Sequence, residues 1–93
     1  MPRDTKYTIY YEKDRILPKL RHFPKDVREK IIQTIDKELS SLSFLTRNVI
    51  KMKHASNRYR LRIGDYRVIF SKNEKLKQIT IHQISDRKEA YDK

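Results

Sequence analysis

The apolar residues of this chain recur with two periods, and each period predicts a different kind of element. Near the start, aromatic and β-branched residues occupy every second position: Tyr7, Ile9 and Tyr11 alternate with Lys6, Thr8 and Tyr10. A period of two is typical of a half-buried strand. We therefore predict a first strand over residues 6–11.

Helical spacing follows this strand. Asp14 is a candidate N-cap for a short helix whose apolar residues share one face: Ile16, Leu17 and Leu20. Pro18 fits that helix only inside its first turn, because proline removes a backbone donor. A longer helix is predicted over residues 24–42, since Pro24 stands at a favourable first-turn position and apolar residues follow at steps of three and four. They are Val27, Ile31, Ile35, Leu39 and Leu42.

The period of two returns in the second half of the chain. In residues 49–53, Ile50 and Met52 alternate with Val49, Lys51 and Lys53, and residues 54–57 are predicted to be a loop. Residues 59–63 and 66–70 also alternate, and Gly64-Asp65 between them suits a type II′ turn, so this segment is predicted to be a β-hairpin. Residues 76–84 are predicted to form a further strand with Ile79 and Ile81 on one side, and residues 86–91 are predicted to form a last helical turn or a tail.

These elements predict an α+β fold in a single domain over residues 1–93. The order is β-α-α followed by antiparallel strands, which form one twisted sheet with the helices packed on one face. A chain of 93 residues is long enough to bury one modest core and too short for a second.

The two-residue turn sets the register of the hairpin, and the register separates two faces. One face is apolar throughout: Tyr59, Leu61, Ile63, Tyr66, Val68 and Phe70. The other face carries Arg58, Arg60, Arg62 and Arg67. Because Arg62 and Arg67 are expected to lie directly opposite each other, and opposed like charges destabilise a sheet, something other than stability is expected to retain them.

Charged residues also cover the solvated face of many antiparallel sheets without binding any ligand. We favour an anion-binding face because four arginines converge, Lys51 and Lys53 are expected in phase on a neighbouring strand, and residues 49–64 contain no acidic residue. The planar fork of arginine donates two parallel hydrogen bonds and stays charged, which suits phosphate. The predicted ligand is a nucleic-acid backbone.

Composition supports a polyanionic partner without identifying it. Lys and Arg number 23 against 12 acidic residues, giving a formal charge of +11. Nucleic acid, an anionic membrane surface or an acidic protein would each fit this charge. The chain contains no cysteine, which excludes disulfides and thiolate metal sites and fits a reducing cytosol. The apolar runs are too short for a membrane span or a signal peptide, so a cytoplasmic location without membrane association is expected.

Other polar residues leave alternatives open. Arg87 and Tyr91 are four positions apart and would share one side of a helix. Tyr91 either packs on the domain or stacks on an unpaired RNA base. The histidines show no convincing metal-ligand spacing and are expected to be loop or surface residues, so no metal site is predicted. They are His22, His54 and His82.

Two segments resemble the RelE/ParE superfamily of toxin–antitoxin toxins. They are residues 59–70, YRLRIGDYRVIF, and residues 86–91, DRKEAY. The similarity extends over nearly the whole chain, since residues 20–31 resemble the family's helical hairpin and residues 49–53 its following strand. It implies the RelE/ParE-like fold.

The resemblance also implies a function. Members of this kind are endonucleases that cleave messenger RNA in the ribosomal A site, and a RelB-like antitoxin with an acidic or amphipathic segment neutralises them. No cofactor is implied. Because the 2′-hydroxyl of the RNA would be the nucleophile, the protein would position groups and stabilise charge.

Carried over by position, the resemblance assigns five catalytic candidates. Arg60 and Arg62 match basic residues that are lysines in well-known members, Arg67 matches the phosphate-gripping arginine, Arg87 the arginine near the leaving group, and Tyr91 the C-terminal tyrosine. Lys51, Lys53 and Arg58 are RNA-binding candidates. Since arginine holds its proton too tightly to act as a base, proton abstraction would need Tyr91, a lysine or the ribosome. Asp86 stands where a basic residue or histidine is commoner.

Two other functions stay open. One is a DNA gyrase inhibitor of the ParE type on the same fold, against which the pairing of Arg87 with Tyr91 counts. The other is a non-catalytic nucleic-acid-binding module, which the basic face alone would satisfy.

Overall fold

The computed structural model of the protein describes residues 6–40, 48–53 and 57–86. Their elements follow the order that the periodicity predicts. In chain order they are β1 (Thr8–Tyr11), α1 (Lys13–His22), α2 (Lys25–Leu39), β2 (Val49–Lys51), β3 (Tyr59–Ile63), β4 (Tyr66–Asn73) and β5 (Gln78–Asp86). Neither helix of this described part is long and apolar enough to cross a membrane.

The strands form one five-stranded sheet in the order β1-β5-β4-β3-β2. The four strands after the helices pair antiparallel, as predicted. β1 pairs parallel to β5, so the sheet as a whole is mixed rather than antiparallel throughout. The direction of β1 relative to β5 is set by the path of the two helices, which connect β1 at one edge of the sheet to β2 at the other. No local sequence pattern specifies that path.

The core lies between the two helices and one face of the sheet. The helices, β3 and β4 contribute residues that their periods predict, and burying one such side chain stabilises the fold by about 1.5–3 kcal/mol. The helices contribute Ile16, Leu20, Ile31, Ile35 and Leu39, and the sheet contributes Val49, Leu61, Ile63, Val68, Phe70, Ile79, Ile81 and Ile84. All of these sheet residues are buried on the helix side, so the opposite face of the sheet is turned away from the core.

α1 differs from its prediction at its start. The helix begins at Lys13 with Glu12 at the N-cap position, so Asp14 lies in the first turn instead of capping it. The Ile16 N–H donates to the Glu12 carbonyl at 2.7 Å, which begins the helix earlier. Pro18 is then an interior residue, beyond the first turn. The helix tolerates the lost backbone donor because Ile16 and Leu20 anchor it in the core.

α2 confirms the longer predicted helix. Pro24 occupies its N-cap rather than its first turn, and the Arg28 N–H donates to the Pro24 carbonyl at 2.9 Å. The helix ends at Leu39, with Ser40 as its C-cap. Leu42, the last residue of the predicted apolar stripe, lies outside the described residues.

The β3–β4 hairpin has the predicted register, in which Arg62 pairs with Arg67 and Ile63 with Tyr66. Gly64 has φ +56°, whereas Asp65 is not among the described residues with positive φ. This combination of signs is that of the predicted type II′ turn. A side chain at residue 64 would be strained by the positive φ, although a Cβ atom there would meet no other atom within 4 Å.

β5 contains a bulge. Ile69 pairs with Gln83 but Phe70 pairs with Ile81, so His82 is an extra residue with no partner of its own in β4. Bulges re-aim side chains and are common beside active sites. The buried apolar residues of β5 are accordingly spaced by two and then by three: Ile79, Ile81 and Ile84.

A charged cluster links the end of β4 to the start of the described chain. The Tyr7 hydroxyl donates to Glu74 Oε2 at 3.0 Å, and Lys72 Nζ lies 2.9 Å from the same oxygen. The hydrogen bonds from Lys72 and Tyr7 lower the pKa of the Glu74 carboxyl below its ordinary value. A carboxyl with a lowered pKa in the folded state stabilises the fold above its unfolded pKa, and this contribution is lost as pH falls through the folded pKa.

We therefore expect Glu74→Gln to be less stable than the parent protein at pH 7, with the difference shrinking in acid. Urea unfolding of both proteins at pH 7 and pH 3 measures this. Glu29→Gln, an exposed acidic position on α2, is the control and should show no such convergence. A difference in the free energy of unfolding that stays constant between the two pH values would contradict the linkage.

Candidate nucleic-acid interface

The hairpin places its arginines on the face of the sheet opposite the helices. Arg60 on β3 pairs with Ile69 on β4, and Arg62 pairs with Arg67. Their neighbours in sequence, Leu61 and Val68, are fully buried on the other face. Arg58 comes directly before β3 and shares the phase of Arg60. We call these four residues, Arg58, Arg60, Arg62 and Arg67, the arginine face.

Three residues of the arginine face converge on one shallow pocket. The pocket has a volume of about 180 Å³, and Arg60, Arg62 and Arg67 line it together with Asn48 and Ile50. A single phosphodiester group fits a concavity of this size, and guanidinium groups on two adjoining strands could approach it from two sides. The predicted convergence of Arg60, Arg62 and Arg67 is therefore found in the structure.

Within the described part of the chain, neither Glu12 nor Glu74 forms an ion pair with these arginines. Glu12 pairs with Arg15 and His82, and Glu74 pairs with Lys72 and Lys77. Arg60 and Arg67 are nevertheless half-buried, while Arg62 is exposed. A merely solvated face would let arginine side chains extend fully into water, so two half-buried arginines beside one pocket favour an anion-binding site.

The lysines of β2 are not in phase with the arginines, which corrects the prediction. Val49 pairs with Leu61 and is fully buried, so Ile50 falls on the arginine face opposite Arg60. Lys51 pairs with Tyr59 and belongs to the other face. The alternation in residues 49–53 suggests that Ile50 faces the core, yet Ile50 is 44% exposed.

Lys51 and Lys53 still lie close to the arginine pocket. β2 is the edge strand of the sheet, and both lysines are exposed there. They line a second pocket of about 300 Å³ that also includes Ile50, Met52 and Arg60. Since the two pockets share Ile50 and Arg60, they are adjacent, and an extended anion could occupy both.

The remaining predicted site residues fall at or beyond the end of β5. Asp86 is its last residue and pairs with Tyr66. Arg87 and Tyr91 lie outside the described residues, as does His54. The arginine face is thus defined by β3 and β4 alone.

A hydrogen-bonded chain of three side chains, which sequence reasoning missed, lies on the same face of the sheet. His82 Nδ1 is 2.7 Å from Glu12 Oε2, and His82 Nε2 is 2.8 Å from Ser71 Oγ. We call these three residues the Glu12–His82–Ser71 relay. The irregular step between Ile81 and Ile84 is the signal that could have drawn attention to His82, because it indicates a bulge.

The described residues contain no group of three His, Asp or Glu side chains placed to hold a metal ion. The chemistry that they offer consists of cationic donors in the arginine face and one imidazole between a carboxylate and a hydroxyl. This set can bind a phosphate and transfer a proton.

The fold is shared with solved RelE structures. One matched chain, from the archaeal RelE–RelB complex of Pyrococcus horikoshii OT3, is 29% identical, with TM-score 0.67 and coverage of 88% of this chain and 96% of that one. Another, from the RelBE2 toxin–antitoxin complex of Mycobacterium tuberculosis, has TM-score 0.78 at 15% identity and covers 94% and 98%. The isolated E. coli RelE toxin matches with TM-score 0.68 at 16% identity, covering 86% and 83%.

No protein-family model matches the chain, and no curated protein matches it by sequence. The structural matches nevertheless cover most of this chain and most of each matched chain. They agree with the sequence of residues 59–70, which resembles the RelE/ParE superfamily. On this evidence the chain has the RelE fold and is similar to the RelE chains of solved toxin–antitoxin complexes.

Proposed function

We propose that this protein is the toxin of a toxin–antitoxin pair and acts as a metal-independent endonuclease of messenger RNA in the ribosomal A site. The observation that carries the proposal is the pocket in which Arg60, Arg62 and Arg67 converge, whose lining among the described residues includes no carboxylate. Two strands with opposed arginines carry a repulsion that a bound phosphate would relieve.

The chemistry asked of this pocket is electrostatic. In-line attack of a 2′-hydroxyl on the adjacent phosphorus leaves a 2′,3′-cyclic phosphate and a free 5′-hydroxyl. Negative charge grows on the phosphoryl oxygens along this path, and fixed guanidinium donors stabilise it more than they stabilise the ground state. Arg67, half-buried and opposite Arg62, is the proposed principal donor. Arg87 and Tyr91 are proposed to act near the leaving group and the adjoining base.

The second proposed partner is a RelB-like antitoxin. The RelE chains of the archaeal and E. coli complexes were solved together with RelB antitoxins. On this chain a net charge of +11 favours an acidic partner segment. Leu17 on α1 and Ile32 on α2 are exposed apolar residues on which an amphipathic segment could pack. Neutralisation would follow if that segment covered the arginine face or displaced the bound RNA.

Induced expression in bacteria followed by toeprinting tests the proposal. We expect growth arrest through stopped translation, and cleavage of a translated message at A-site codons only when ribosomes are present. Purified antitoxin added before the toxin should prevent both effects.

The two alternatives give different results in the same experiment. A gyrase inhibitor would cause DNA damage and block supercoiling in vitro while the message stays intact. A passive nucleic-acid-binding module would leave both the message and DNA supercoiling unchanged, and either result would overturn the nuclease assignment.

A further inference from the structure

We propose that Ile50 and Met52 form an apolar platform for a nucleobase, beside the phosphate that the arginine pocket holds. This inference rests on the proposed function and deepens it, because it adds a base subsite to the phosphate site. We call these two residues the β2 platform. The electrostatic chemistry proposed for the arginines uses neither of them.

The sheet register places the β2 platform next to the arginines of β3. Ile50 pairs with Arg60. Met52, two residues further along the chain, lies beside Arg58, because its backbone N–H donates to the Arg58 carbonyl at 2.9 Å. Residues two apart on an extended segment share a face. Both platform residues therefore lie on the arginine face, and each has an arginine as its neighbour on β3.

The surroundings of the β2 platform are cationic. Ile50 is 44% exposed and Met52 is half-buried. A single exposed apolar residue needs no explanation. These two, however, line one pocket of about 300 Å³ together with Lys51, Lys53 and Arg60. An apolar floor with three cations around it fits a ligand that combines a flat apolar group with negative charge.

This pocket is continuous with the arginine pocket. The two share Ile50 and Arg60 in their linings. A nucleotide joins its phosphate to its base through one ribose ring. A phosphodiester between Arg60, Arg62 and Arg67 would therefore bring an adjoining base over Ile50. Single-stranded RNA repeats this combination of anion and flat ring at every residue, and its unpaired bases are free to contact side chains.

The other occupant that an apolar floor could take is a side chain of the antitoxin. A peptide would need acidic and apolar side chains in a particular register to match the arginines and the platform, whereas every nucleotide of RNA carries both groups. The exposed apolar residues Leu17 and Ile32 lie on the helices and offer the antitoxin a separate surface. The platform is therefore assigned to RNA.

The β2 platform contacts the flat face of a base rather than its edge. Every base has such a face, so the contact is tolerant of sequence. The thioether sulfur of methionine also makes favourable contacts with aromatic rings. The platform should therefore raise the affinity for RNA that carries bases over a bare ribose-phosphate chain, whichever bases are present.

Binding of two strands of equal charge tests this role. One is a short 2′-O-methyl oligouridine, which offers no nucleophile and cannot be cleaved, and the other is an abasic strand of the same length and backbone. We expect the parent protein to bind the uridine strand about 5-fold more tightly at low salt, the lower end of the range for stacking a base on an aromatic side chain. The double variant Ile50→Ala/Met52→Ala should bind both strands equally, with the parent's affinity for the abasic strand.

Two further variants separate the base subsite from the phosphate site. Leu76→Ala removes another exposed apolar side chain, in the turn between β4 and β5, and should keep the 5-fold preference. Arg67→Ala should weaken the binding of both strands by a similar factor, because it removes a phosphate donor and leaves the platform intact. Fluorescence anisotropy gives the affinities, and thermal unfolding confirms that each variant is folded.

A double variant that keeps the parental base preference would overturn the inference, and weakened antitoxin binding in that variant would then identify a protein as the occupant. An equal loss of affinity for both strands would mean that Ile50 and Met52 only shape the arginine pocket. A parent protein that binds both strands equally, or neither, would also contradict the platform.

Toeprinting decides the nuclease function separately from these affinities. If the parent protein cleaves the message but shows no base preference, the nuclease assignment stands and the base subsite falls. If it shows the preference but cleaves no message, the nuclease assignment falls, and the platform belongs to an RNA-binding module.

Discussion

Replacing Arg67 by alanine should lower RNA cleavage by about 10²–10³-fold and relieve growth arrest, with no loss of stability. This range is typical for removal of one preorganised donor to a developing negative charge. Arg67 lines the arginine pocket from β4, whereas Arg60 and Arg62 approach it from β3. Without Arg67 the pocket keeps only the arginines of β3. Stability should be kept because the substitution also removes the like charge opposite Arg62.

The measurements are single-turnover cleavage, growth after induction, and thermal unfolding of Arg67→Ala beside the parent protein. Arg21→Ala removes an exposed arginine from α1, on the helix side of the molecule, and serves as a charge-matched control. RNA affinity of Arg67→Ala should also depend less on salt, with the slope of log affinity against log salt reduced by about 1. Full toxicity of a folded Arg67→Ala protein would remove this residue from the mechanism.

The hairpin could be predicted from sequence because a two-residue turn leaves no freedom in register. Once Gly64-Asp65 is placed, every pair from Ile63–Tyr66 outwards follows, and so does the separation of arginines from core residues. The helices were predictable for a similar reason, since their apolar stripes fit a period of 3.6. In each case the decisive information is local in the chain.

The features that escaped prediction depend on contacts that are distant in sequence. β1 lies parallel to β5, with which it pairs seventy residues later in the chain, and no local pattern encodes that choice. The phase of β2 is decided by the burial of Val49 against Leu61 rather than by the apolar character of Ile50. A three-residue edge strand contains too few positions for its period to decide which face is buried.

The Glu12–His82–Ser71 relay also depends on contacts between residues that are distant in sequence. Glu12 follows β1, Ser71 lies on β4 and His82 on β5, so only the assembled sheet brings them together. The parallel pairing of β1 with β5 is what carries Glu12 to His82, as the Glu12 N–H donates to the Ile81 carbonyl at 3.2 Å. A histidine with no recognisable motif around it in the sequence is usually a surface residue. His82 is distinguished from such a residue only by its hydrogen bonds with Glu12 and Ser71.

Phe70→Ala should destabilise the fold by about 3–5 kcal/mol, the range typical of removing a buried aromatic ring. Phe70 is fully buried on the core face of β4, and its ring stacks on Tyr59 with centroids 5.4 Å apart. For a domain of this size each kcal/mol lowers Tm by about 4–8 °C, so Tm should fall by more than about 12 °C.

Ile69→Ala, on the same strand but on the arginine face, is the matched comparison and should cost far less, about 1 kcal/mol. The two substitutions are adjacent in sequence, so they share the same backbone and differ only in which side of the sheet they empty. Urea unfolding of both variants gives the free energies directly. Equal losses would mean that the arginine face is packed as tightly as the core, and a face packed in that way could not bind RNA.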